Sequence, residues 1–539
     1  MENINTISWK LIDRYFKDND LALVNHHIES YNSFFDNNDF TKSGISQIFN
    51  EMNPIKLRKN KIESINDYGY QIDIFIGGKD ASKIYYGLPV VNEPENNHFL
   101  YPNEARLRNM NYSISIHYDI YIEIRELTIE KGDIKVETDK LEYNKIFLGK
   151  FPIMLKSKFC ILNNLPSDIA FNMGECREDK GGYFIIDGKE KCFIPQETFA
   201  NNMVNYVKND KDNNYSYSAA IRTVSEDSSK PIRTMKIHIL RSNDSIVVEI
   251  PNVRKPIPLF ILMRALGVIS DKDIIGYCLL DIDKNESYLD FFISSVHDAG
   301  IIFTQELAIK YISIFTKTNT VIQDILLNYL LPNVGEDNFV NKAYFIGDMV
   351  LKLLQVKIGI LQPTDRDNFK FKRVELIGPM IYDLFREYYV KQQKNIKKNI
   401  ERKFYFLKNE KDKLTIENSK KILDENFKNF INDRKIFGMV EEGFKKAFKG
   451  NWGASSYTKS VGIIQDLNRL SFNSAIAQLR KLNLEIDASA KVTGPQVSSE
   501  DALSKPALIV IRSALNTAPI PNVSVYSALS RPVSSEFGA

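Results

Sequence analysis

The stretch Gly181-Gly-Tyr-Phe-Ile-Ile-Asp-Gly-Lys-Glu-Lys-Cys-Phe-Ile194 holds two apolar runs on either side of Asp187-Gly188. Both residues of that pair tolerate a positive φ, so the stretch predicts a β-hairpin with a tight turn. Strand-like runs such as Tyr70-Gln-Ile-Asp-Ile-Phe-Ile76 precede it, and we expect strands to dominate from about 68 to 196. The first 65 residues show helical spacing of apolar residues instead.

A second module is expected after the hairpin. Residues 205–230 are rich in Asn, Asp, Ser and Lys, which predicts a loop-rich crossing, and strands are predicted at Thr234–Leu240 and Ser245–Ile250. From about 258 to 360 the spacing becomes helical, and Gly267 is placed to end one of these helices.

Another helix-rich stretch starts near Leu376. Around residue 396 the spacing predicts an amphipathic helix with Ile396 and Ile400 on its apolar stripe. Its opposite face is cationic and carries Lys391, Lys394, Lys398 and Arg402.

The composition bounds the class of protein. The 539 residues exceed a usual domain of roughly 150 residues several times over, and 43% are hydrophobic, so a multi-domain globular chain is expected and a fully disordered one is excluded. Because 71 basic side chains nearly balance 68 acidic ones, the net charge is only +3. Any nucleic-acid-binding surface must therefore be local.

The sequence also indicates a compartment. The four cysteines form no C-x-x-C pair and no dense disulfide framework, which favours a reducing environment. The N-terminus lacks the apolar core of a secretory signal, and no apolar run reaches the roughly 18 residues of a membrane span. We expect an intracellular protein that is not secreted and does not bind a membrane.

Motifs for self-contained catalysis are missing from the sequence. It has no P-loop, no dinucleotide-binding glycine pattern, no H-E-x-x-H and no G-x-S-x-G. The stretch from Asp281 resembles a calcium loop but has Glu286 in place of the glycine and Phe292 in place of the bidentate acid. His26 and His27 lack partners at ligand spacing, so a solvated or core histidine pair is favoured over a metal site. We expect no catalytic residue and no metal ligand in this chain.

Near the C-terminus, Lys449-Gly-Asn-Trp-Gly453 predicts a Gly-punctuated turn, followed by a flexible loop and two short helices within 459–469 and 473–482. Lysine and arginine can bind phosphate oxygens, and neutral amides can reach sugars or base edges, so this unit is a candidate for holding a nucleic acid strand. Its candidate side chains are Lys459, Gln465, Asn468, Arg469, Gln478, Arg480 and Lys481.

From Ala488 onward the composition changes, because Ser, Ala, Val and Pro make up more than half of the positions. A disordered tail has such a composition. The apolar run Ala507-Leu-Ile-Val-Ile511 argues against an ordinary linker, so a frame-shifted or truncated reading of a longer gene is the alternative.

Several motifs occur in a fixed order along residues 1–487, and together they carry a resemblance. They are Tyr101-Pro-Asn-Glu-Ala-Arg-Leu-Arg-Asn109, Leu148-Gly-Lys-Phe-Pro-Ile-Met-Leu-Lys-Ser-Lys158, Gly181-Gly-Tyr-Phe-Ile-Ile186, Arg264-Ala-Leu-Gly267, Asp365-Arg-Asp-Asn-Phe369, Gly450-Asn-Trp-Gly453, Gln465-Asp-Leu-Asn-Arg469 and Leu479-Arg-Lys481. The chain resembles the N-terminal part of the second-largest, or beta, subunit of multi-subunit DNA-directed RNA polymerases. The pattern is that of the eukaryotic and large-DNA-virus enzymes.

The resemblance implies an α+β, multi-domain fold in which a mixed strand and helix protrusion carries an inserted, helix-rich lobe and is followed by a short helical fork. The protrusion would take residues 1–200 and 361–448, and the lobe residues 201–360. An incomplete fork would take residues 449–487, and residues 488–539 would form a divergent tail, either disordered or frame-shifted.

The resemblance also implies a function. The chain would be a subunit of a nucleotidyltransferase that makes RNA from ribonucleoside triphosphates, bound to the largest subunit, the other polymerase subunits, the DNA template and the RNA transcript. Gln465, Asn468, Gln478 and Lys481 would face the nascent RNA, and Lys459 would lie near the point of strand separation. Mg²⁺ would be held mainly by the largest subunit and not by this chain, which alone would be inactive.

The resemblance stops near Asp487, before the family's hybrid-binding core, wall and zinc-bearing clamp. The remaining half is then a separate chain, lost, or encoded in another frame. A stand-alone nucleic-acid-binding or structural protein derived from a polymerase fragment is the alternative function. Abundant Lys, Asn and Ile are typical of an AT-rich genome, so a large DNA virus is the suggested source, with a virion, a viral replication site or a nucleus as location.

Overall fold

The structure is a computed structural model. Contacts between residues divide the chain into two compact units. It describes residues 4–36, 44–62, 67–93, 97–130, 133–163, 165–210, 212–225, 232–316, 321–335, 337–365, 368–407, 438–454 and 458–484. Unit 1 is formed by Met1–Glu197 with Val374–Ala539, and unit 2 by Thr198–Arg373. The tail predicted at 488–539 lies outside the described residues.

Unit 1 combines helices with several small sheets. Its helices are α1 (Ile4–Asp18), α2 (Asn25–Ser33), α3 (Ile45–Met52), α4 (Pro102–Leu107), α5 (Ser167–Asn172), α12 (Ile377–Leu407), α13 (Met439–Phe448) and α14 (Phe472–Leu479), numbered in chain order over both units. Its strands are β1 (Ile55–Ile62), β2 (Asp67–Ile76), β3 (Ile84–Tyr86), β4 (Val90–Asn92), β5 (Asn97–Phe99), β6 (Ser113–Glu130), β7 (Asp133–Pro152), β8 (Phe184–Ile186), β9 (Lys189–Phe193), β17 (Ile464–Asp466) and β18 (Asn483–Leu484). Strands β10 (Gln196–Phe199) and β16 (Lys372–Glu375) span the two unit boundaries.

The largest sheet of unit 1 is antiparallel, in the order β1-β2-β6-β3, with β7 also paired to β6. Strict alternation along β6 sets its register, because Ile114, Ile116, Ile120, Ile122 and Ile124 all fall on one face and are all buried. Burying each of these side chains contributes roughly 1.5–3 kcal/mol relative to exposure. The alternation therefore decides which face of the sheet meets the core.

Helix α12 closes that core with aromatic rings. The ring of Phe385 stacks on Tyr389 with centroids 5.6 Å apart, and Tyr389 lies 4.9 Å from Phe49 of α3. Ile396 and Ile400 are buried while Lys394 and Lys398 are exposed, so the predicted amphipathic helix is confirmed.

The predicted hairpin is also confirmed. Strands β8 and β9 pair antiparallel around Asp187 and Gly188, whose φ values are +48° and +74°. A Cβ on Gly188 would lie 2.8 Å from the Cα of Asn109 and 2.9 Å from the carbonyl oxygen of Arg106. Glycine is therefore required at this turn both by its backbone angles and by the close approach of α4.

Unit 2 has a five-stranded antiparallel sheet covered by helices. Its strands, in sheet order, are β11 (Val204–Lys208), β12 (Tyr215–Thr223), β13 (Arg233–Leu240), β14 (Ile246–Glu249) and β15 (Ile257–Pro258). Its α-helices are α6 (Leu259–Ala265), α7 (Asp271–Leu279), α8 (Ile293–Ala299), α9 (Gln305–Ile314), α10 (Ile322–Asn328) and α11 (Phe339–Ile358). Short 3₁₀ helices of unit 2 lie at Glu286–Phe292, Pro332–Val334 and Phe369–Phe371.

The loop-rich crossing predicted at 205–230 is wrong for its first half, which forms β11 and β12. Ala219 and Ile221 of β12 are buried, whereas Ser216 and Asn205 supply polar side chains on the strands. Because one face of such strands is exposed and polar, their amino-acid composition resembles that of a loop. The helix end at Gly267 is confirmed, since this residue follows α6 with φ +103°.

The α+β fold class is confirmed, because both units combine helices with antiparallel sheets. Among the described helices, none has the length and apolar character that crossing a bilayer requires.

Candidate nucleic-acid interface

Residues 458–484, which we call the interface segment, are attached to the hairpin β8–β9 by backbone hydrogen bonds. Strand β17 pairs antiparallel with β9, so that Gln465 lies opposite Cys192. The Ile194 N–H donates to the Ile463 carbonyl at 2.9 Å, and the Leu467 N–H donates to the Glu190 carbonyl at 2.9 Å. The hairpin is therefore the platform on which the candidate residues are presented.

The first of the two predicted short helices is wrong. Within 459–469 the chain forms strand β17, and Gly462 turns the chain ahead of it with φ +91°. Buried Ile463 and Ile464 complete the sheet edge of β9, and this long-range pairing outweighs local helical spacing. The second helix is confirmed as α14, somewhat shorter than predicted.

Helix α12 holds the start of the segment. The Glu387 carboxylate accepts hydrogen bonds from the Ala454 N–H at 3.0 Å and from the Thr458 hydroxyl at 2.9 Å. The ammonium of Lys391 donates to the Ala454 carbonyl at 2.8 Å. Both ends of the loop that includes Ser455–Tyr457 are thus fixed to α12, although those three residues are not among the described ones. Exposed Lys459 follows directly.

Hydrogen bonds from side chains stabilise the turn before α14. Ser471 and Ser474 form a capping box at the helix start. The Gln478 side chain accepts from the Asn468 N–H at 2.6 Å and donates to the Asp466 carbonyl at 2.9 Å. The Asn468 side chain in turn accepts from the Leu470 N–H at 2.8 Å. The structure thus brings Asn468 and Gln478 together and uses both to shape the turn.

Arg469 is held by two acidic side chains of unit 1. Its Nε donates to Glu190 Oε2 at 2.6 Å, while its Nη2 donates to Glu190 Oε1 at 3.0 Å and to Asp179 Oδ2 at 2.9 Å. Its guanidinium carbon lies 5.0 Å from the centroid of the Tyr183 ring. We call Arg469, Asp179, Tyr183 and Glu190 the arginine clamp.

A second arginine supports the clamp from the inside. Arg106 donates to Glu190 at 2.9 Å, to both oxygens of Glu175 at 2.9 Å and to the Tyr183 hydroxyl at 2.8 Å. That hydroxyl donates to Asp179 at 2.7 Å. Two guanidinium groups therefore meet three carboxylates in a continuous, partly buried network, which is the arrangement that lets buried charges persist.

The electrostatics of the network follow from these contacts. Burial raises the pKa of the Asp179 carboxyl, but hydrogen bonds from the Gly181 N–H and the Tyr183 hydroxyl, together with the Arg469 charge, leave that pKa below its ordinary value. Burial lowers the pKa of Arg469, but the hydrogen bonds and charges of its partners outweigh burial and raise it overall. Asp179 and Arg469 are thus both charged near neutral pH.

The end of the segment returns to the core of unit 1. The His27 Nε2 lies 2.6 Å from the Leu479 carbonyl at the end of α14, and β18 pairs in parallel with β10. Arg480 and Lys481 follow and are half-buried. The His26–His27 pair, expected to be either solvated or in the core, is buried, with ring centroids 4.0 Å apart.

The seven predicted residues therefore differ in exposure and in their hydrogen-bond partners. Lys459 is exposed, the Gln465 amide donates to the Gly462 carbonyl at 3.0 Å, and Arg469 is engaged in the clamp. The positioning residues Asp179, Tyr183, Glu190 and Glu387 were missed by the sequence interpretation. The density of charged residues at 104–108 and beside the glycines at 178–190 was the available signal for the first three, and Glu387 had none.

A metal does not fit the described part of the chain. Over those residues, no group of three or more His, Cys, Asp or Glu side chains is arranged to hold an ion. The three carboxylates of the network are already matched by Arg106 and Arg469.

Comparisons with known proteins agree with the motif order. A family model described as RNA polymerase beta subunit matches residues 22–423. The chain is 31% identical over 504 residues to DNA-directed RNA polymerase II subunit RPB2 of Encephalitozoon cuniculi, and 30% identical over 514 residues to DNA-directed RNA polymerase II subunit 2 of Arabidopsis thaliana; each alignment covers 91% of this chain and 40% of the relative. It is 28% identical over 485 residues to DNA-directed RNA polymerase subunit Rpo2N of Methanocaldococcus jannaschii, covering 88% of this chain and 85% of that protein.

The chain thus spans about 40% of the length of the first two relatives and most of the length of the third. Because the family match runs through well over half of the residues, the chain belongs to the RNA polymerase beta subunit family.

Proposed function

We propose that the chain works as the N-terminal part of the second-largest subunit of a DNA-directed RNA polymerase. The observation that carries this proposal is the family match through residues 22–423, together with a relative of which the chain covers 85% of the length and whose name is that of a polymerase subunit. Transcription by the assembled enzyme is the proposed activity, and this chain by itself is proposed to be inactive.

Within that subunit, we assign residues 1–200 and 361–448 to the protrusion, 201–360 to the lobe and 449–487 to the start of the fork. The division of contacts after Glu197 and after Arg373 supports a module placed between two parts of another.

The interface segment is proposed to contact the DNA template and the RNA transcript. The supporting observation is local: exposed Lys459 stands at the start of a segment whose backbone is fixed to α12 and to the hairpin. A cation on a fixed backbone can neutralise a phosphate at little cost in chain entropy. The proposed contacts or supports of the bound strands are Lys459, Gln465, Asn468, Gln478, Arg480 and Lys481.

The bond-making chemistry is assigned to the complete enzyme. Mg²⁺ is proposed to bind mainly on the largest subunit and not on this chain. The proposed partners are that largest subunit and the other polymerase subunits, and the proposed location is inside the cell. An AT-rich source such as a large DNA virus is proposed from the abundance of Lys, Asn and Ile.

Purification of the tagged chain from its source tests the function. We expect the other polymerase subunits to be identified in the purified sample by mass spectrometry, and that sample to make RNA on a DNA template with NTPs and Mg²⁺. The chain expressed alone is expected to make none.

Two results would contradict the proposal. Template-dependent RNA synthesis by the isolated chain would show that the chemistry belongs to it. Repeated purification without any other polymerase subunit would favour a stand-alone nucleic-acid-binding or structural protein.

A further inference from the structure

The arginine clamp includes one of the two arginines of the interface segment, and arginine is the side chain best suited to bind phosphate. A guanidinium has five N–H donors, and three of those of Arg469 are directed at Glu190 and Asp179. The pair with Glu190 is bidentate, with both N···O distances at or below 3.0 Å. This geometry favours an internal role over an external one.

The charges around Arg469 also favour an internal role for this side chain. A phosphate approaching Arg469 would also approach two carboxylates whose side chains are only 14% and 18% exposed. Arg106 offsets one of these charges but is shared with Glu175. The surroundings of Arg469 therefore carry no excess positive charge. Among the described residues, by contrast, no acidic side chain forms an ion pair with the exposed Lys459.

We propose that Arg469 is a positioning residue that clips the turn before α14 onto the hairpin through Asp179 and Glu190, and that it does not itself bind nucleic acid. The inference rests on the proposed nucleic-acid role of the segment. Through the clamp, Arg469 holds its neighbour Asn468, whose N–H and side chain organise the turn with Gln478 and Leu470. Losing the clamp frees that turn without removing a phosphate contact.

Binding of a short fluorescent RNA–DNA hybrid to the full chain, measured over a salt series, tests the inference. For Arg469→Ala we expect affinity to fall several-fold at every salt concentration, with an unchanged slope of log K against log salt. For Lys459→Ala we expect the slope to fall by about one, because one phosphate contact is lost. Arg108→Ala is the matched control, since Arg108 also pairs with two carboxylates at 43% exposure, against 46% for Arg469; it should change neither quantity.

Two conservative variants separate the roles. Arg469→Lys keeps the charge but loses the bidentate geometry, so it should behave like Arg469→Ala. Asp179→Asn leaves the Arg469 charge in place but weakens the clamp. If Arg469 is a positioning residue, this variant should therefore bind the hybrid less tightly. If Arg469 bound phosphate instead, removing the neighbouring negative charge would leave binding equal or tighter. That result, or a lower salt slope for Arg469→Ala with recovery in Arg469→Lys, would overturn the proposal.

Hydrogen exchange provides a readout that does not depend on nucleic acid. In Arg469→Ala and Asp179→Asn the N–H groups of Asn468 and Leu470 should exchange at least several-fold faster, whereas Arg108→Ala should leave them unchanged. Unchanged exchange in both clamp variants would refute the positioning role. Failure of the wild-type chain to bind the hybrid, with exchange altered as expected, would instead contradict only the proposed nucleic-acid function.

Discussion

The imidazole of His27 donates its Nε2 proton to the carbonyl oxygen of Leu479, across 2.6 Å and 452 positions of sequence. A carbonyl only accepts, so the ring must be the Nε2-protonated tautomer. The bond caps the end of α14 from α2, in the interior of unit 1. Helices α14 and α2 are thus parts of one core.

This contact makes the stability of unit 1 depend on pH. Burial lowers the pKa of His27 to about 4, and burial and the neighbouring charges of His27 and Arg480 lower that of His26 as well. In the unfolded chain both pKa values return to about 6.5, so between pH 6.5 and 4 the unfolded state binds more protons. We therefore expect the free energy of unfolding to decrease as the pH is lowered from 6.5 to 4, by up to about 3 kcal/mol from His27 alone.

Urea unfolding followed by the fluorescence of Trp452, which is buried in unit 1, measures this effect. His27→Gln should remove a large part of the pH dependence, while His297→Gln, at an exposed position, should leave it unchanged. A wild-type free energy that stays constant from pH 7 to 5 would contradict the prediction.

Glycine at 453 should be essential for the start of the interface segment. Its φ is +93°, and an added Cβ would lie 2.2 Å from the Thr458 carbonyl oxygen. We expect Gly453→Ala to destabilise unit 1 by about 2 kcal/mol or more. Gly450→Ala is the control: its φ is +112° but nothing lies within 4 Å of the new Cβ, so it should cost only about 1 kcal/mol. Equal losses in the two variants would show that the contact with Thr458 is unimportant.

In unit 2 a buried lysine is expected to stabilise a helix end. The Lys342 ammonium donates to the carbonyls of Leu326 and Leu327 near the end of α10, at 2.8 and 3.0 Å. Lys342→Ala leaves these acceptors buried without that donor, at a cost of about 2 kcal/mol.

Hydrogen exchange in α10 measures the loss. Lys352→Ala, on the same helix α11 but half-exposed and paired with Asp348, is the matched control and should change stability by less than about 0.5 kcal/mol. Similar exchange rates in α10 for both variants would disprove the capping role.

Thiol labelling should distinguish one cysteine from the other three. Cys176 is exposed, whereas Cys160, Cys192 and Cys278 are buried, and burial raises the pKa of Cys192 and of Cys278 to about 12. Only the thiolate reacts, so we expect one rapid equivalent of a disulfide reagent per native chain and four after unfolding. The Cys176→Ser variant should lose the rapid phase, and any rapid equivalent that remains in that variant would contradict the burial of the other three.

Local patterns predicted the local parts of the fold. The Asp187-Gly188 turn and the end of α6 at Gly267 each depend on a backbone angle that only a few residue types adopt. Strand β17 was taken for a helix because its pairing partner, β9, lies more than 270 residues earlier. Strands β11 and β12 were taken for a loop because one of their faces is polar.

The candidate site, too, was predictable where it depends on local sequence and not where it depends on distant residues. Lysine, arginine and amide side chains could be selected from their chemistry, and the family resemblance placed them in a strand-binding region. The clamp could not be predicted, because its arginine and its Glu190 are separated by 279 positions and no periodic pattern links them. Only the folded chain shows that Arg469 already has carboxylate partners.

The same separation affects how unit 1 is made on the ribosome. At roughly 5–20 residues per second, about 15 to 55 seconds pass between the synthesis of Glu190 and that of Arg469. During this interval the hairpin has been translated, but its outer strand lacks its neighbour and its acidic side chains lack one of their two arginines. Nascent chains caught in that interval should be held by chaperones and cleaved by proteases near β9, and should become resistant once α14 has emerged from the exit tunnel.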